Sequence, residues 1–348
     1  MTEPFPGARP TLEAVAALAG VSRATASRVV NGGAGVRQPL VEKVQRAVEE
    51  LGYVPNHAAR TLVTRRTGAV AVIIAEPEIR IFSDPFFSQQ IRGISKELTA
   101  HDYQLVLLLL EGPGDYDRIA RYLAGGHVDG ALAFSLHTDD PIPDITRRAG
   151  MPTVYGGRPG WTTVPDHRAV PYVDADNRGG AREAVRYLWD LGRRRIAHIA
   201  GPRDQTSATD RLDGYRDVLL GENPALIAEG AFTEESGALA MTELLERCPD
   251  LDAVFAANDL MASGALRVLK ERGIAVPDEV ALVGFDDMDS VAAVTDPPLT
   301  TVQQDIEGQG RLMARLLLRG LDREREGEGE RAPASVITPT TLVRRASA

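Results

Sequence analysis

Two sets of residues in this 348-residue chain have the types and spacing to do chemistry. Arg23, Ala24, Ser27 and Arg28 fall on one face of a short helical stretch. A guanidinium on such a face can meet O6 and N7 of guanine in a major groove. Downstream, Leu62 stands among Arg60, Arg65 and Arg66. On a DNA binder, a large apolar residue in a basic segment is a minor-groove wedge that orders on contact. The second set follows strand-like runs in the body of the chain. HIAGP leads through a polar loop to Arg211; the run ending at Phe255 is followed by Asn258 and Asp259; ALVGF is followed by Asp286 and Asp287. Ligands of open α/β sheets sit at such carboxyl ends. Helix capping explains Asn258 and Asp259 equally well, better for Asp259, and Arg211 also reads as a solvated helix charge.

These residues need elements to hold them. Leu12, Val15, Ala16 and Ala19 recur at helical spacing, and Gly20 interrupts the run where positive φ is needed. Ser22 is placed to cap the next helix, whose Ala26, Val29 and Val30 pack back on the first. The spacing predicts a helix-turn-helix; an αα-hairpin with a charged outer face fits the same pattern. Val41, Val44, Val48 and Leu51 predict a third helix closed by Gly52. Pro55 then stops any continuation, and Asn56 caps HAARTLVT, a helix too short to stand alone in water.

From Gly68 the pattern changes. AVAVIIA (69–75), YQLVLLLL (103–110), VDGALAFSL (128–136) and PTVYG (152–156) are nearly continuous in apolar residues and predict buried parallel strands. Helices are expected at 87–100, 115–124 and 143–150. A second βα series follows, with strands near 195–200, 252–257 and 280–285 and helices near 177–191, 208–221, 235–247 and 259–272. Two doubly wound halves are implied. After the charged, Gly-rich REREGEGERA (323–332), ASVITPTTLVRR (334–345) returns to strand-like sequence, so the chain must cross back to finish a sheet.

Composition narrows the function. Residues 1–66 carry nine Lys or Arg against five acids, net +4, and the remainder 30 against 44, net −14. A basic head on an acidic body suits a protein that meets phosphate with one end. The lone Cys248 excludes an intramolecular disulfide framework or a Cys-based zinc site. No apolar run of about 18 residues and no signal-peptide core appear, so the expected location is cytoplasmic. AEPEIRIFSDPFF after the first strand has neither GxGxxG nor a P-loop lysine, which disfavours dehydrogenases and kinases. GxSxG, HExxH and clustered histidines are lacking too; His57, His101, His127, His137, His167 and His198 are scattered. No catalytic residue, cofactor or metal is expected.

AGVSRATASRVVN and ELGYVPNHAARTL together resemble the headpiece and hinge of the LacI/GalR family of bacterial transcription repressors. GPRDQTSATDRLDGY, AANDLMASGA, VGFDD and DPPLTTVQQD resemble family blocks in the same order, so the likeness covers nearly the whole chain. Two departures are Arg37, where a hydroxyl cap is usual, and Ala26, where a branched residue is usual. The resemblance implies an α/β protein with an N-terminal helix-turn-helix headpiece (1–55) and a hinge helix and linker (56–67). An effector domain of periplasmic-binding-protein type (68–348) follows, built of two doubly wound parallel-sheet subdomains joined by three crossovers. The first half is expected at about 68–172 plus 300–331, the second at about 173–299 plus 332–348.

The resemblance also assigns DNA contact to Thr11, Ser22, Arg23, Ala24, Thr25, Ser27, Arg28, Asn31, Tyr53, Asn56, Ala59 and Leu62. It assigns effector contact to Phe86, Phe87, Arg158, Ser207, Arg211, Phe232, Asn258, Asp286 and Gln304, with Phe232 as an aromatic platform. Phe86 and Phe87 fit a core pair as well. Arginine, carboxylate and amide around an aromatic face suit a pyranose, and a purine could use the same set. Arg158 in YGGRPG makes the chain look most like the branch answering cello-oligosaccharides or related β-glucosides. A sugar-binding transport receptor would share the body but lack the basic head.

The expected partners are therefore palindromic operator DNA and a small sugar, with no membrane. A head of +4 with a hinge helix that cannot fold alone binds weakly, and no heptad tail precedes Ala348, so a homodimer is expected. Corepression by a nucleobase is the alternative. Arg28→Ala should cost about 1–3 kcal/mol at one position of the half-site. Gel-shift titrations on operator and random DNA check this: equal losses on both would make Arg28 a phosphate contact instead.

Overall fold

Thr11 starts the first helix by accepting the Ala14 amide proton at 3.2 Å, and α1 (Leu12–Ala19) ends at Gly20, whose φ is 64°. Ser22 Oγ accepts from the Thr25 amide at 3.1 Å at the start of α2 (Arg23–Val30). α3 (Gln38–Leu51) has no side-chain cap from Arg37; a proline in its first turn supplies the fixed φ, and Gly52 closes it at φ 58°. Val15, Ala26 and Val44 are wholly buried at the centre of this three-helix cluster, so the small side chain at 26 fills its site.

The computed structural model describes residues 10–30, 35–54, 66–110, 112–160, 170–219, 223–326 and 335–348. Its contacts divide the chain into two units, Met1–Thr67 and Gly68–Ala348. Asn31 and the expected hinge helix, with Asn56, Ala59 and Leu62, lie outside the described residues.

The second unit contains two six-stranded sheets. The first comprises β1 (Ala69–Ile74), β2 (Gln104–Leu109), β3 (Gly130–Phe134), β4 (Thr153–Gly156), β5 (Tyr172–Ala175) and β11 (Val336–Thr338), in the order β2-β1-β3-β4-β5-β11. The second comprises β6 (Ile196–Ala200), β7 (Ile227–Glu229), β8 (Ala253–Ala256), β9 (Ala281–Asp286), β10 (Thr300–Gln303) and β12 (Thr341–Val343), in the order β7-β6-β8-β9-β10-β12. Every described pairing is parallel except β10 with β12. The central strands are apolar on both faces because helices cover both. On the first sheet α4 (Glu78–Ser83) leads into α5 (Pro85–Ala100), which packs with α12 (Ile306–Glu326) on one face, while α6 (Pro113–Ala124) and α7 (Ile142–Arg148) cover the other. On the second, α8 (Asn177–Asp190) and α9 (Thr206–Val218) oppose α10 (Glu234–Arg247) and α11 (Asp259–Glu271).

The chain crosses between the subdomains three times: after β5, between β10 and α12, and between β11 and β12. The division expected from the sequence needs correcting at three strands. Tyr172–Ala175 pairs with β4 and stays in the first sheet, Thr300–Gln303 pairs with β9 in the second, and Val336–Thr338 pairs with β5 in the first. Each has three or four residues, so its place is set by its partner strand rather than by its own pattern.

α5 and α12 meet backbone to backbone. A Cβ at Gly93 would strike the Glu307 carbonyl, and one at Gly310 would strike the Gln90 carbonyl. Gly310→Ala should therefore force the helices apart and lower stability by about 1–3 kcal/mol, measurable as a reduced urea midpoint; an unchanged midpoint would show that the contact yields without cost.

Candidate functional site

The carboxyl ends of both sheets converge on one cavity of about 860 Å³, its open mouth included. The first subdomain contributes Arg80 from α4; Asp84, Phe86 and Gln90 from the start of α5; Phe134 at the end of β3 with Ser135 and Leu136 after it; Gly156 at the end of β4 with Gly157 and Arg158 after it; and Asp174 and Asn177 around the end of β5. The second contributes Gln205, Thr206, Ser207 and Arg211 after β6, Phe232 after β7, Asn258 after β8, Asp286 at the end of β9 and Gln304 after β10, and Gln309 enters from the first turn of α12 on the first subdomain.

Arg211 organises the second wall. It is 5% exposed, and its guanidinium donates to Asn177 Oδ1 at 2.9 Å and to the Ala257 carbonyl, while Nη2 lies 3.2 Å from Asp286 Oδ1. The cation also stacks on Phe285, 3.7 Å from the ring centroid. Gln304 donates to Asp286 Oδ1 at 2.6 Å. Burial pushes the Asp286 carboxyl up and the Arg211 guanidinium down, and each charge opposes the shift of the other. Asn258 both caps α11, accepting from the Met261 amide at 2.9 Å, and donates to the Phe232 carbonyl at 3.1 Å. Asp259 points away from the cavity, accepting from the Met288 amide and the Thr301 hydroxyl. Capping and cavity lining coincide at Asn258, whereas Asp259 is wholly structural.

Of the nine residues expected to line an effector site, Phe86, Arg158, Ser207, Arg211, Phe232, Asn258, Asp286 and Gln304 do line the cavity. Phe87 does not: it is 1% exposed and stacks on Phe134, with centroids 6.2 Å apart, inside the first core. Adjacent helical residues point about 100° apart, so only one of the pair can face the cavity. Sequence reading missed Arg80, Asp84, Gln90, Asp174 and Asn177. The DADN stretch held a signal for two of them, since Asp174 Oδ1 accepts from Asn177 Nδ2 at 2.9 Å. Burial raises both Asp84 and Asp174 to about 6, with Asp286 adding to the rise at Asp84 and Asp210 at Asp174. Ser135, Phe232, Asp286 and Asp287 hold φ of 57°, 59°, 105° and 53° at the strand ends, backbone strain of the kind that gathers at functional sites.

Hydrogen bonds tie the two subdomains across the cleft. His137 Nδ1 pairs with Asp204 at 2.7 Å, Thr138 donates its amide to the Asp204 carbonyl at 2.8 Å, and Gln205 donates to Glu76 at 2.9 Å. Arg158 grips Asp210 through Nε and Nη2 at 3.2 and 2.6 Å, and Thr206 Oγ1 donates to the Arg158 carbonyl at 2.7 Å. Glu76 also accepts from Ser135 at 2.6 Å and pairs with Arg80 at 2.6 Å. Burial alone would raise the Glu76 carboxyl, but His137, Arg80 and Ser135 together hold it below the usual range.

In the first unit, Ser22, Arg23, Ala24 and Arg28 are exposed and Thr25 and Ser27 half-buried. Arg23 Nε donates to Glu13 at 2.6 Å, which holds one guanidinium of the outward face in place. Tyr53 is half-buried against the three-helix cluster and Thr11 is exposed at the start of α1. Among the described residues no cluster of three or more His, Cys, Asp or Glu could hold a metal, and no helix is long and apolar enough to cross a membrane.

Comparison with known proteins matches residues 11–56 to the model of bacterial regulatory proteins, lacI family, and residues 185–348 to the periplasmic binding protein-like domain. The HTH-type transcriptional regulator CelR of Thermobifida fusca is 51% identical over 314 residues, covering 89% of this chain and 91% of its own. The ribose operon repressor of Escherichia coli (strain K12) is 34% identical over 315 residues, covering 88% and 92%. Among solved structures, a transcriptional regulator CelR-cellobiose complex has a TM-score of 0.76 at 46% identity, covering 98% of this chain and 100% of that one. A lac repressor dimer bound to operator and the anti-inducer ONPF has a TM-score of 0.82 at 27% identity, covering 98% and 99%.

The His137 contacts give the second unit a definite pH dependence. Hydrogen bonds that the imidazolium donates to Glu76 and Asp204, working against burial, raise the imidazole to about 9, above its ordinary 6.5. The proton is therefore bound more tightly in the folded state. The stabilisation is complete below pH 6.5 and is lost as pH rises through about 9. Against His137→Gln, the wild type should be more stable by about 1–2 kcal/mol at pH 6, a value discounted for the exposure of Asp204, and equal to it near pH 10. A difference that stays constant across this range in denaturant melts would mean that the imidazole is neutral.

Proposed function

The chain belongs to the lacI family of bacterial regulatory proteins, and from that premise we propose that it is a transcriptional repressor whose operator affinity is lowered by a small sugar held in the cleft. A cello-oligosaccharide or related glucoside is the effector favoured. The observation that carries this reading is the cavity itself. It combines a fork of donors (Arg211), amides (Asn258, Gln304), a carboxylate (Asp286) and aromatic surface (Phe86, Phe232), the set needed for vicinal hydroxyls and the apolar face of a pyranose. The likeness to a regulator solved with cellobiose supports the same choice.

The DNA contact is assigned to the outward face of α2. Arg23 and Arg28 reach for guanine, and Ser22, Ala24, Thr25 and Ser27 surround them. Two chains are needed, because a head with four net charges neutralises few phosphates. A homodimer on a palindrome follows, as in the operator-bound lac repressor dimer to which the chain is similar. A sugar can lower operator affinity only by favouring one setting of the two subdomains over another. The cross-cleft bonds of Asp204, Gln205 and Arg158 are what such a change in setting would make or break, since each joins residues of different sheets.

Operator binding titrated with cellobiose, glucose and a nucleobase panel tests the proposal. Cellobiose should release the operator with a coupling of about 1–3 kcal/mol. Tighter DNA binding in the presence of a nucleobase would make the protein a corepressor-dependent regulator instead. Phe86→Ala and Arg211→Lys should keep operator affinity but need at least tenfold more sugar for release. Lysine retains the charge that Asp286 requires while losing the bidentate fork, so the fold is spared the 3–5 kcal/mol of an unpaired buried carboxylate.

A further inference from the structure

Arg158 lines the cavity, yet its guanidinium is already engaged. Nε and Nη2 both donate to Asp210, at 3.2 and 2.6 Å, a two-bond grip from the first subdomain onto α9 of the second. The backbone that carries it is fixed on both sides. The Gly157 amide donates to the Val173 carbonyl and the Arg158 amide to Asp174 Oδ2, each at 2.8 Å, which binds the loop to β5. On the other side Thr206 Oγ1 donates to the Arg158 carbonyl at 2.7 Å, and a Cβ at Gly160 would strike Thr206 Cγ2, so the loop lies directly on the first turn of α9. Asp210 itself is not one of the described residues that line the cavity.

The guanidinium has a second reason to stay where it is. Asp174 lies in β5 of the first subdomain and Asp210 on α9 of the second. Burial raises the Asp174 carboxyl, and Asp210 adds to the rise. Closing the cleft without Arg158 would therefore set two acids against each other. Arg158 meets both, Asp174 through its amide and Asp210 through its guanidinium. The side chains of the pair are 42% and 20% exposed, so water screens it, but the forked geometry and the pre-set backbone spare it much of the entropy cost of an ordinary surface pair. A ligand that touches both walls of the cavity meets them together only in the setting that these bonds hold. Ligand and grip therefore favour the same setting.

We propose that Asp210 is a positioning residue for the effector: it holds Arg158 as a clasp across the cleft and so sets sugar affinity without touching the sugar. Arg158 then acts through Asp210 and does not read hydroxyls. This rests on the reading of the cleft as the site of a sugar that lowers operator affinity. The apparent sugar affinity is the intrinsic one scaled by the fraction of molecules in the clasped setting. By the same linkage the clasp opposes operator binding even before sugar arrives.

Calorimetric titration of the full chain with cellobiose, alongside operator binding without sugar, tests this on Asp210→Asn, Arg158→Gln and the double variant. Asp210→Asn should weaken cellobiose binding about three- to fivefold. Arg158→Gln should weaken it at least as much, because it leaves Asp174 and Asp210 facing each other. In the Asp210→Asn background, Arg158→Gln should cost less than about twofold more, since the two residues act as one unit. Asp210→Glu, which keeps the carboxylate, should recover most of the loss. Operator affinity without sugar should hold or rise in Asp210→Asn, whereas damage to the fold would lower sugar and operator binding together. The clasp is overturned if Asp210→Asn binds cellobiose as well as the wild type or better, if the two single losses multiply in the double variant, or if operator affinity falls. Where Asp210→Asn lowers the thermal midpoint, Asp210→Ser repeats the comparison. A wild type that binds no cellobiose would remove the sugar reading and this assignment together, while a wild type that binds it no better than the variants removes the assignment alone.

Discussion

A guanidinium cannot shed its proton at any ordinary pH, so an arginine kept out of water must be surrounded by acceptors. Arg211 imposes this demand on the second subdomain. Its partners come from three different strand ends: Asn177 after β5, the Ala257 carbonyl after β8, and Asp286 at the end of β9, with Phe285 beneath the cation. Any shift of one strand relative to another would leave a buried charge short of a bond. The register of the sheet and the shape of the cavity wall are thus one problem with one solution. Asn177 is telling here, since it is supplied by the crossover out of the first sheet. The cation therefore joins the two subdomains at their connection as well as lining the space between their ends.

The same wall shows why the cleft holds both acids and bases at high density. Asp84, Asp174 and Asp286 are all raised by burial, and the influence of Asp286 on Asp84 acts across the cleft. Bringing the subdomains together without Arg80 and Arg211 between them would set carboxylates against one another at low dielectric. The positive-φ backbone at Ser135, Phe232 and Asp286 is the geometric counterpart. Each of these residues turns the chain sharply at a strand end so that its side chain or carbonyl faces the cavity. Gly201 complements Phe232, because a Cβ there would strike the ring.

How far this was legible in the sequence varied with the length of the element. The headpiece was readable nearly residue by residue, since Gly20, Ser22 and Gly52 act locally and the structure uses each as its chemistry suggests. The long apolar strands were equally plain. β5, β10 and β11 were not, because three or four residues carry too little periodicity to declare a partner. At the site, Arg211, Asn258 and Asp286 stood out by their places after strand-like runs, but their role, and Gln304 altogether, came only through likeness to known sequences. Arg80 escaped because α4 is a six-residue helix whose pattern resembles a loop. Phe86 and Phe87 could not be separated without knowing the helix phase, which is fixed by Asp84 accepting the Phe86 amide proton at 2.9 Å.

β11 and β12 are three residues each, lie two residues apart, and complete different sheets. The helix that covers one face of the first sheet, α12, comes late as well, after every strand of the second sheet but β12. On a ribosome the chain emerges from its N-terminus at about 5–20 residues per second. The first subdomain must therefore wait, with one face of β3, β4 and β5 uncovered, through synthesis of about 130 residues that belong to its neighbour. Long loops must close before such distant contacts reward the chain, which slows folding. During that interval the nascent protein exposes Leu132, Val154 and Val173, a face that chaperones or premature self-association would meet before α12 does.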